Sequence, residues 1–552
     1  MYRAWRSALV VICFAVAVVL VGAPLAAWPQ VVRLPAVLVP ALALAVLVLR
    51  PWRWTESAWD ALSVWVPAPR VIWSGAAALG LLLFWIVLTR FQSGEINGVD
   101  FTVYFDRPCF QTVLGRPLLV ETADYQVFSH RSAFAHHAYW GMLPLCSLYA
   151  IGASPLWLLA ISVVAVVAGA VHILRISQTL GVGGVLATVT ALAFALNDNT
   201  ARALNYGFHP EVLYAWFVPW MLDAGLRGKR RSFIVATLAC VSVKEDAFML
   251  LLAASVTLGL HRWDRMNRLD RAVFTLAPVA LGLANLGIYY GYVVPALTDD
   301  GRLMYGHFWA NYGPTPLKAL AGMMAHPWQL LMETLTSGFF QTVILPHLFL
   351  PLIGWRWMVG VVPIVVIYSA SADEQLRRFG IYYAIVLVPF LVIGASTGAS
   401  TVARWLVPQP RRASFAAAAL VLLGALLVGS GNRGYSLRPW RGETVAVADA
   451  LARLAGEPIV LVQSGLYPHA SYDARVQLLT PETLLSPQHA GAAVLIAPKA
   501  GAYPFQPGDL DGLGLHPMFE LPAGVLAVRA PAIPRHPMRK DGHQRHHRSD
   551  HP

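Results

Sequence analysis

The sequence predicts an all-α polytopic membrane protein with roughly 11–13 transmembrane helices, followed by a small C-terminal α/β domain. Of the 552 residues, 57% are hydrophobic and only 13% are charged, whereas soluble domains usually carry about 25% charged residues. The mean hydropathy is +0.56. Apolar runs recur along the chain, many near the roughly 20 residues that cross a bilayer. After Gly431 the apolar runs become short and strand-like.

The apolar runs define the predicted spans and, through them, the domains. Some runs are short for a full crossing. The predicted spans lie at about 8–27, 34–49, 71–89, 154–174, 183–197, 211–226, 232–244, 247–260, 273–293, 336–353, 357–370, 379–397 and 413–430. The predicted domains are an N-terminal hairpin with its cytoplasmic loop (1–70), a core with large outer loops at 90–153 and 294–335 (71–430), the α/β domain (431–530) and a disordered His/Arg-rich tail (531–552).

The basic residues predict the orientation of these spans. Clusters lie at Arg3–Arg6, Arg50–Arg70, Arg227–Arg231, Arg262–Arg271 and Arg404–Arg412. Cytoplasmic loops of membrane proteins are enriched in Lys and Arg, and every cluster falls inside if the N-terminus is cytoplasmic. We therefore expect the C-terminal domain to be extracytoplasmic. The net charge of +12 is explained as an orientation signal, and we expect no nucleic-acid partner.

Three adjacent charges interrupt the apolar run from Leu238 to Val256: Lys244, Glu245 and Asp246. Burying unpaired charges is expensive. We favour two short helices, 232–244 and 247–260, that meet at an outward-facing tip carrying the charges. The alternative is one tilted helix from Ser232 to Leu260, which would place Arg262–Arg271 outside.

The C-terminal region carries alternating helix and strand patterns. "TVAVADALARLAG" predicts an amphipathic helix, and "PIVLVQS", "AAVLIAP" and "GVLAVRA" predict short buried strands. The four cysteines show neither a disulfide framework nor metal-type spacing. Phosphate-loop, dinucleotide and zinc-protease motifs are missing from the sequence, so we expect no cofactor, and the sequence assigns no metal ligands.

The predicted map places a set of polar residues on the outer side. Intramembrane and membrane-surface ionisable groups are functional candidates by default, and we expect these segments to converge on one cavity. Cations there would hold a lipid phosphate, and a carboxylate would deprotonate an attacking hydroxyl. The catalytic candidates are Asp100 and Asp106, and the substrate-binding candidates are His130, Tyr206, His209, Glu211, Lys244, Glu245 and Asp246.

Each candidate also has a structural interpretation. Asp100 or Asp106 alone fits a solvated loop acid. His209, which precedes Pro210, fits a packing residue at a helix start, where proline is favoured. Lys244 fits an ion that neutralises acids at the tip. His136 and His137 are expected to be interfacial rather than catalytic.

Several blocks resemble a bacterial family of multi-pass membrane proteins catalogued as a domain of unknown function. They are "NYGFHPEVLYAWFVPWM", "SVKEDAFMLLLAASVTLGL", "FSHRSAFAHHAYWGMLPLCSLYAIGASPLWLL" and "QSGLYPHASYDARVQLL". That family is in turn similar to membrane glycosyltransferases of the GT-C architecture, which use polyprenyl-phosphate sugars at the outer face of the membrane. The resemblance implies a general base at Asp100, or failing that Asp106. It further implies that His209, Glu211, Lys244, Glu245 and Asp246 line the donor site.

The leading hypothesis is therefore a glycosyltransferase in the plasma (inner) membrane of a bacterium. It would transfer a sugar from a polyprenyl-phosphate donor to a lipid, glycan or protein acceptor, with membrane lipids around it. The competing hypotheses are a transporter or flippase for a lipid-linked substrate and a non-catalytic scaffold of envelope assembly.

Overall fold

The computed structural model describes residues 67–120, 132–297, 306–406, 410–429, 435, 437–470, 472–502, 505 and 515–530. The first two predicted spans, most of the N-terminal hairpin domain, His130 and the tail lie outside these residues. The described chain forms two compact units. One, the helical unit, holds the described residues of 67–87, 134–148 and 156–437. The other, the sheet unit, holds those of 88–133, 149–155 and 438–530.

Helices account for most of the helical unit. Their bounds are α1 Pro69–Gln92 (which ends in the sheet unit), α3 Met142–Cys146, α4 Leu156–Thr179, α5 Gly184–Ala195, α6 Asp198–Asn205, α7 Tyr214–Leu226, α8 Arg230–Val241, α9 Ala247–Arg262, α10 Arg268–Arg271, α11 Ala277–Ile288, α12 Val294–Leu297, α13 Pro316–Ala325, α14 Pro327–Thr336, α15 Leu350–Ile353, α16 Val362–Ser369, α17 Glu374–Arg377, α18 Val388–Leu406 and α19 Pro410–Gly429. The helix α2, Arg107–Val113, belongs to the sheet unit.

Three helical runs among the described residues are long and apolar enough to cross a membrane: α1, α4 and the run Arg268–Leu297 that joins α10 to α12 through two π-helical turns. Shorter apolar helices lie at Trp355–Ser369 and Ala413–Leu422. Other predicted spans are shorter helices: α5 and α8 have 12 residues each, and α9 has 16. These elements give the chain the predicted mostly helical membrane fold.

The predicted span 336–353 is not one helix. A π-helix, Phe339–Ile344, leads through a short 3₁₀ turn into the four-residue α15. Pro346 and Pro351 both lie within the predicted span 336–353, and proline lacks the backbone N–H that an α-helix needs. Leu348 and Phe349 have φ values of 55° and 58°, in the left-handed region where a helix does not continue.

The charged run forms two helices, as favoured from the sequence. Helix α8 ends at Val241 and α9 begins at Ala247. Between them is the charged turn, Ser242–Asp246. Because the turn separates α8 from α9, Lys244, Glu245 and Asp246 do not lie on the apolar face of a helix.

The sheet unit contains the predicted α/β fold. Helix α20 spans Gly442–Arg453, and a short α21 spans Pro481–Leu485. The strands are β1 Val460–Val462, β2 Val476–Leu478, β3 Ala493–Ile496, β4 His516–Glu520 and β5 Leu526–Arg529. Their order is β2-β1-β3-β5-β4. The first three are mutually parallel, and β5 and β4 continue the sheet antiparallel.

The three strands that the sequence predicted are β1, β3 and β5. All three carry apolar residues on both faces, and Val460, Leu461 and Val494 are fully buried. Strands β2 and β4 were not predicted. Strand β2 has only three residues, and β4 includes Pro517 and does not alternate regularly between apolar and polar residues. A bulge between Pro517 and Phe519 accommodates the proline in β4, which is paired only with β5.

Candidate functional site

The charged turn lies in the interior of the helical unit. Lys244 is 9% exposed and Glu245 4%. The turn is held from one side by Gly141, whose N–H donates to the carbonyl of Ser242 at 2.7 Å. A side chain at Gly141 would collide with Ser242, so the glycine permits this close approach. The sequence thus places three charges in a buried turn, where each needs a partner.

Lys244 is paired with Glu211 and, more distantly, with Asp246. Its Nζ donates to Glu211 Oε1 at 2.8 Å and lies 3.8 Å from Asp246 Oδ2. The second oxygen of Glu211 contacts His209 Nδ1. Glu211 lies in the 3₁₀ helix Pro210–Leu213, which follows directly on His209. The Glu211 carboxylate is therefore held between an ammonium group and an imidazole.

Asp246 is the most accessible acid of the turn, with a side-chain exposure of 23%. Tyr214, at the start of α7, donates its hydroxyl to Asp246 Oδ1 at 3.2 Å. Burial raises the pKa of Asp246 to about 7, although the Lys244 charge acts in the opposite direction. This carboxyl therefore changes its charge near neutral pH.

Glu245 faces a different partner, His137. Its Oε1 lies 2.7 Å from His137 Nδ1, and its Oε2 accepts from the Ala138 N–H at 3.0 Å. Burial acts to raise the pKa of Glu245, but the His137 charge and hydrogen bond outweigh it, so this pKa is lowered. His136 and His137, which were expected to be interfacial rather than catalytic, are 4% and 8% exposed, and His137 supplies a partner for a buried acid.

An aromatic layer adjoins His209. The His209 ring stacks on Tyr382 with 3.8 Å between centroids. Tyr382 also contacts Tyr206 (5.0 Å) and Tyr383 (4.6 Å). Of the predicted binding residues, the structure thus brings Tyr206, His209, Glu211, Lys244, Glu245 and Asp246 into one network, while His130 lies outside the described residues.

The two acids proposed as catalytic base belong to the sheet unit. Asp106 is 0% exposed and ends the π-helix Val99–Asp106. Its Oδ1 accepts hydrogen bonds from Tyr149 and Tyr472, both at 2.7 Å. Burial, together with the charge of Asp106, raises the pKa of Tyr149 well above its usual range, so its hydroxyl stays a donor. The geometry of Asp106 is that of a buried structural acceptor.

Asp100 lies six residues earlier in the same π-helix and is partly exposed. Its Oδ2 accepts from Asn97 Nδ2 at 3.0 Å. Asn97 Oδ1 in turn accepts from the Val99 N–H at 2.9 Å, which fixes the amide against the start of the helix. Of the two acids, Asp100 is the less buried.

Arg107 is a buried cation that sequence reasoning missed. It is 3% exposed, contacts the Tyr467 hydroxyl and donates to the Val476 carbonyl at 2.8 Å. Tyr467 and Val476 belong to the block "QSGLYPHASYDARVQLL", so the arginine fixes that block to the start of α2. The signal in the sequence was weak, because a lone arginine after an acid is usually solvated.

The cysteines differ from the expectation of no disulfide framework. Cys109 and Cys146 are disulfide-bonded, while Cys240 is a buried free thiol in α8. Two cysteines separated by unpatterned sequence carry no spacing signal, which explains the wrong prediction. Within the described part of the chain, no group of three His, Cys, Asp or Glu side chains is arranged to hold a metal.

Residues 100–483 match the family described as "Predicted membrane protein (DUF2079)". No curated protein matches the chain. Among solved structures, the chain is similar to ArnT from Cupriavidus metallidurans bound to undecaprenyl phosphate, with a TM-score of 0.45 and 12% identity over 85% of this chain and 100% of that chain. The apo state of ArnT from Cupriavidus metallidurans gives a TM-score of 0.41 and 13% identity over 84% of this chain and 100% of that chain.

A third similar structure is the arabinofuranosyltransferase AftD from Mycobacteria, with a TM-score of 0.39 and 15% identity. That similarity covers 85% of this chain but only 40% of AftD.

Proposed function

We propose, from the premise that this chain belongs to the family of predicted membrane proteins DUF2079, that it is a membrane glycosyltransferase. The donor would be a sugar on a polyprenyl phosphate, and the acceptor a hydroxyl of a lipid, glycan or protein. The single observation that carries this proposal is the position of Asp100. Asp100 is a partly exposed residue in a helix that starts shortly after α1, a membrane-crossing candidate that ends at Gln92.

A carboxylate at that point is suited to act as a general base. Asp100 would take the proton of the acceptor hydroxyl as the hydroxyl oxygen forms a bond to the anomeric carbon. The bond from that carbon to the donor phosphate oxygen breaks, and its electron pair leaves on the polyprenyl phosphate. Asp106 is fully buried beneath two tyrosine hydroxyls, so we assign the base to Asp100.

The helical unit supplies an anion site of suitable chemistry. Lys244 and His209 hold the Glu211 carboxylate between them, and the same two groups would suit phosphate oxygens. Tyr382, which stacks on His209, and Tyr206, whose ring is tilted against Tyr382, supply aromatic surface for the sugar or the first prenyl units. We keep Glu245, Asp246 and His130 as further candidates for this substrate site.

We place the reaction at the outer face of a bacterial inner membrane, with the N-terminus cytoplasmic. The distribution of basic clusters supports this orientation. The disulfide-bonded Cys109 and Cys146 both lie in the first predicted outer loop. Disulfides persist in oxidising compartments and are rare in the cytosol, which supports an outer location for that loop.

One observation favours a second candidate, a lipid-binding scaffold without catalysis. Lys244 already has a carboxylate partner at 2.8 Å, as expected if the charged turn only stabilises the fold. In that case the acids and Lys244 would affect stability but no chemical conversion.

The test is sugar transfer by purified protein in liposomes, using a panel of radiolabelled polyprenyl-phosphate sugars with extracted envelope lipids as acceptors. We expect labelled product from wild type and from Asp264→Asn, an exposed control acid, and a loss of about 10²-fold or more in Asp100→Asn. Full activity in Asp100→Asn would refute the base assignment. A wild type that binds donors without making product would favour the scaffold.

A further inference from the structure

The C-terminal sheet has the topology of a ligand-binding α/β sheet. Strands β2, β1 and β3 are parallel, and β1 lies between the other two. From β1, the chain adds β2 on one side and then β3 on the other, so the strand order reverses beside β1. In open α/β sheets, ligands bind at the carboxyl ends of the strands next to such a switch point. Here the corresponding loops are Gln463–Gly465, after β1, and 497–501, after β3.

A segment of the chain itself lies against these loops. We call Gly94–Asp100 the Asp100 segment. The Gly501 N–H donates to the Gly94 carbonyl at 2.8 Å, and the Gly98 N–H donates to Ser464 Oγ at 3.0 Å. The two strand loops are joined by the Gly465 N–H and the Gly501 carbonyl, also at 2.8 Å. Both ends of the segment are thereby hydrogen-bonded to the switch point.

Glycines allow this close approach. Gly94 has φ +68°, a conformation that other residues rarely adopt. A Cβ on Gly465 would collide with the Gly94 carbonyl, and a Cβ on Gly98 would collide with the Ser464 carbonyl. Gln463, which is 3% exposed, fixes the second loop by donating to the Ala500 carbonyl at 2.9 Å and accepting from the Ala497 N–H at 2.8 Å.

A chain of hydrogen bonds leads from the sheet to the Asp100 carboxylate. The Ser464 hydroxyl, 2% exposed, accepts from Gly98 and lies 3.5 Å from Asn97 Oδ1, to which it donates. The same Asn97 oxygen accepts from the Val99 N–H. The Nδ2 end of the amide therefore faces Asp100. Asn97 Nδ2 then donates to Asp100 Oδ2 at 3.0 Å.

We infer that the C-terminal sheet is a positioning element for the catalytic base, with Ser464 orienting Asn97 and Asn97 orienting Asp100. The inference rests on the proposed function, because it concerns the base of that reaction. Its switch point binds the protein's own Asp100 segment, so the sheet acts through that segment and not through a separate ligand. Ser464 and Asn97 are positioning residues.

The expected signature is a change in the pH profile. A hydrogen bond to the ionised form of a carboxyl lowers its pKa, so removing the Asn97 amide raises the pKa of Asp100. Asn97→Ala therefore moves the acidic limb of the kcat–pH profile to higher pH. Misplacement of a reacting group by about 1 Å can cost on the order of 10²-fold in rate, so we expect kcat to fall at least about 10-fold while KM for the donor stays unchanged.

The experiment measures kcat and KM against pH for wild type, Asn97→Ala, Ser464→Ala and the control Ser486→Ala, which removes a hydroxyl of equal size from another turn of the sheet unit. Hydrogen exchange of the Gly98 amide is followed in parallel. We expect faster Gly98 exchange only in Ser464→Ala, lower kcat in both Asn97→Ala and Ser464→Ala, and the shifted limb in Asn97→Ala.

Failure of the positioning role and failure of the proposed function would give different results in this experiment. An active wild type with unchanged pH profiles and kcat in Asn97→Ala and Ser464→Ala would overturn the positioning role alone. Equal losses of kcat in Ser486→Ala would do the same, because they would reveal general destabilisation. A wild type that transfers no sugar would overturn the proposed function, and the positioning role with it.

Discussion

The Lys244 ammonium donates to the Glu211 carboxylate at 2.8 Å, although the two residues are 33 positions apart. Both side chains are buried, and Glu211 contacts His209 with its other oxygen. The charges that interrupt the apolar run are thus neutralised by a preceding segment. The same pairing fits either an anion site or a structural ion pair, and the two roles differ in their response to mutation.

Removing one partner of this pair should destabilise the protein strongly. Lys244→Met leaves the Glu211 carboxylate buried with only His209, and breaking a buried ion pair from one side costs about 3–5 kcal/mol. We expect a clear fall in the thermal unfolding midpoint in detergent. The double variant Lys244→Met/Glu211→Gln should recover part of the loss, because it leaves no unpaired charge.

The matched control is Lys318→Met, which changes an exposed lysine of α13. Surface substitutions usually alter stability by less than about 0.5 kcal/mol. If Lys244→Met were as stable as this control, or if the double variant were no better than the single, the ion pair would not stabilise the fold.

Asp246 should make the stability depend on pH near neutrality. Burial raises its pKa to about 7 in the folded protein, from an ordinary value of 3.8. The folded state therefore binds the proton more tightly, and this contribution to stability is lost as the pH rises from about 4 to about 7. Asp246→Asn cannot ionise, so its stability relative to wild type should rise over that interval by roughly 4 kcal/mol, at about 1.4 kcal/mol for each pH unit between the two pKa values.

Unfolding midpoints of wild type and Asp246→Asn across this pH range test the prediction. Asp264→Asn, at an exposed acid beyond α9, should follow wild type throughout. A constant difference between Asp246→Asn and wild type would show that Asp246 ionises at an ordinary pH.

The sequence predicted the elements whose patterns are local, and missed those that depend on distant partners. Helix α20 has clear apolar periodicity, and strands β1, β3 and β5 are short, nearly continuous apolar runs. The break at the charged turn followed from the cost of burying charges in a span. The pairing of Glu245 with His137, 108 residues apart, has no local pattern. Asp100 and Asp106 were both candidate bases from the sequence, and their different burial could not be predicted from it.

The cysteines should show two oxidation states in protein made in cells. Cys109 and Cys146 are disulfide-bonded and Cys240 is free. In a Cys13→Ser background, the denatured chain should react with one maleimide per chain before reduction and three afterwards, since the sequence has four cysteines in all. A further Cys240→Ser change should leave no reactive thiol until reduction. Reaction at three sites without reduction would contradict the disulfide and the outer location that it supports.

Variants at the Asp106 site and at Asp100 should separate an effect on stability from an effect on activity. Asp106 accepts from Tyr149 and Tyr472 in a fully buried site. Hydrogen bonds to charged groups contribute about 1.5–3 kcal/mol, so Tyr472→Phe should lower the unfolding midpoint while sugar transfer persists at low temperature. Tyr292→Phe, whose ring is 75% exposed, is the control for loss of a hydroxyl.

Asp100→Asn should have the opposite effect to Tyr472→Phe: it should lower sugar transfer and leave the stability nearly unchanged. The residue is partly exposed and accepts an amide hydrogen bond from Asn97, which an asparagine oxygen can still accept. We therefore expect an unfolding midpoint close to that of wild type and a fall in transfer rate of about 10²-fold to 10⁴-fold, the usual contribution of a general base. If instead Tyr472→Phe abolished transfer without loss of stability and Asp100→Asn remained active, the base would be Asp106, and the buried tyrosines would be part of its proton path.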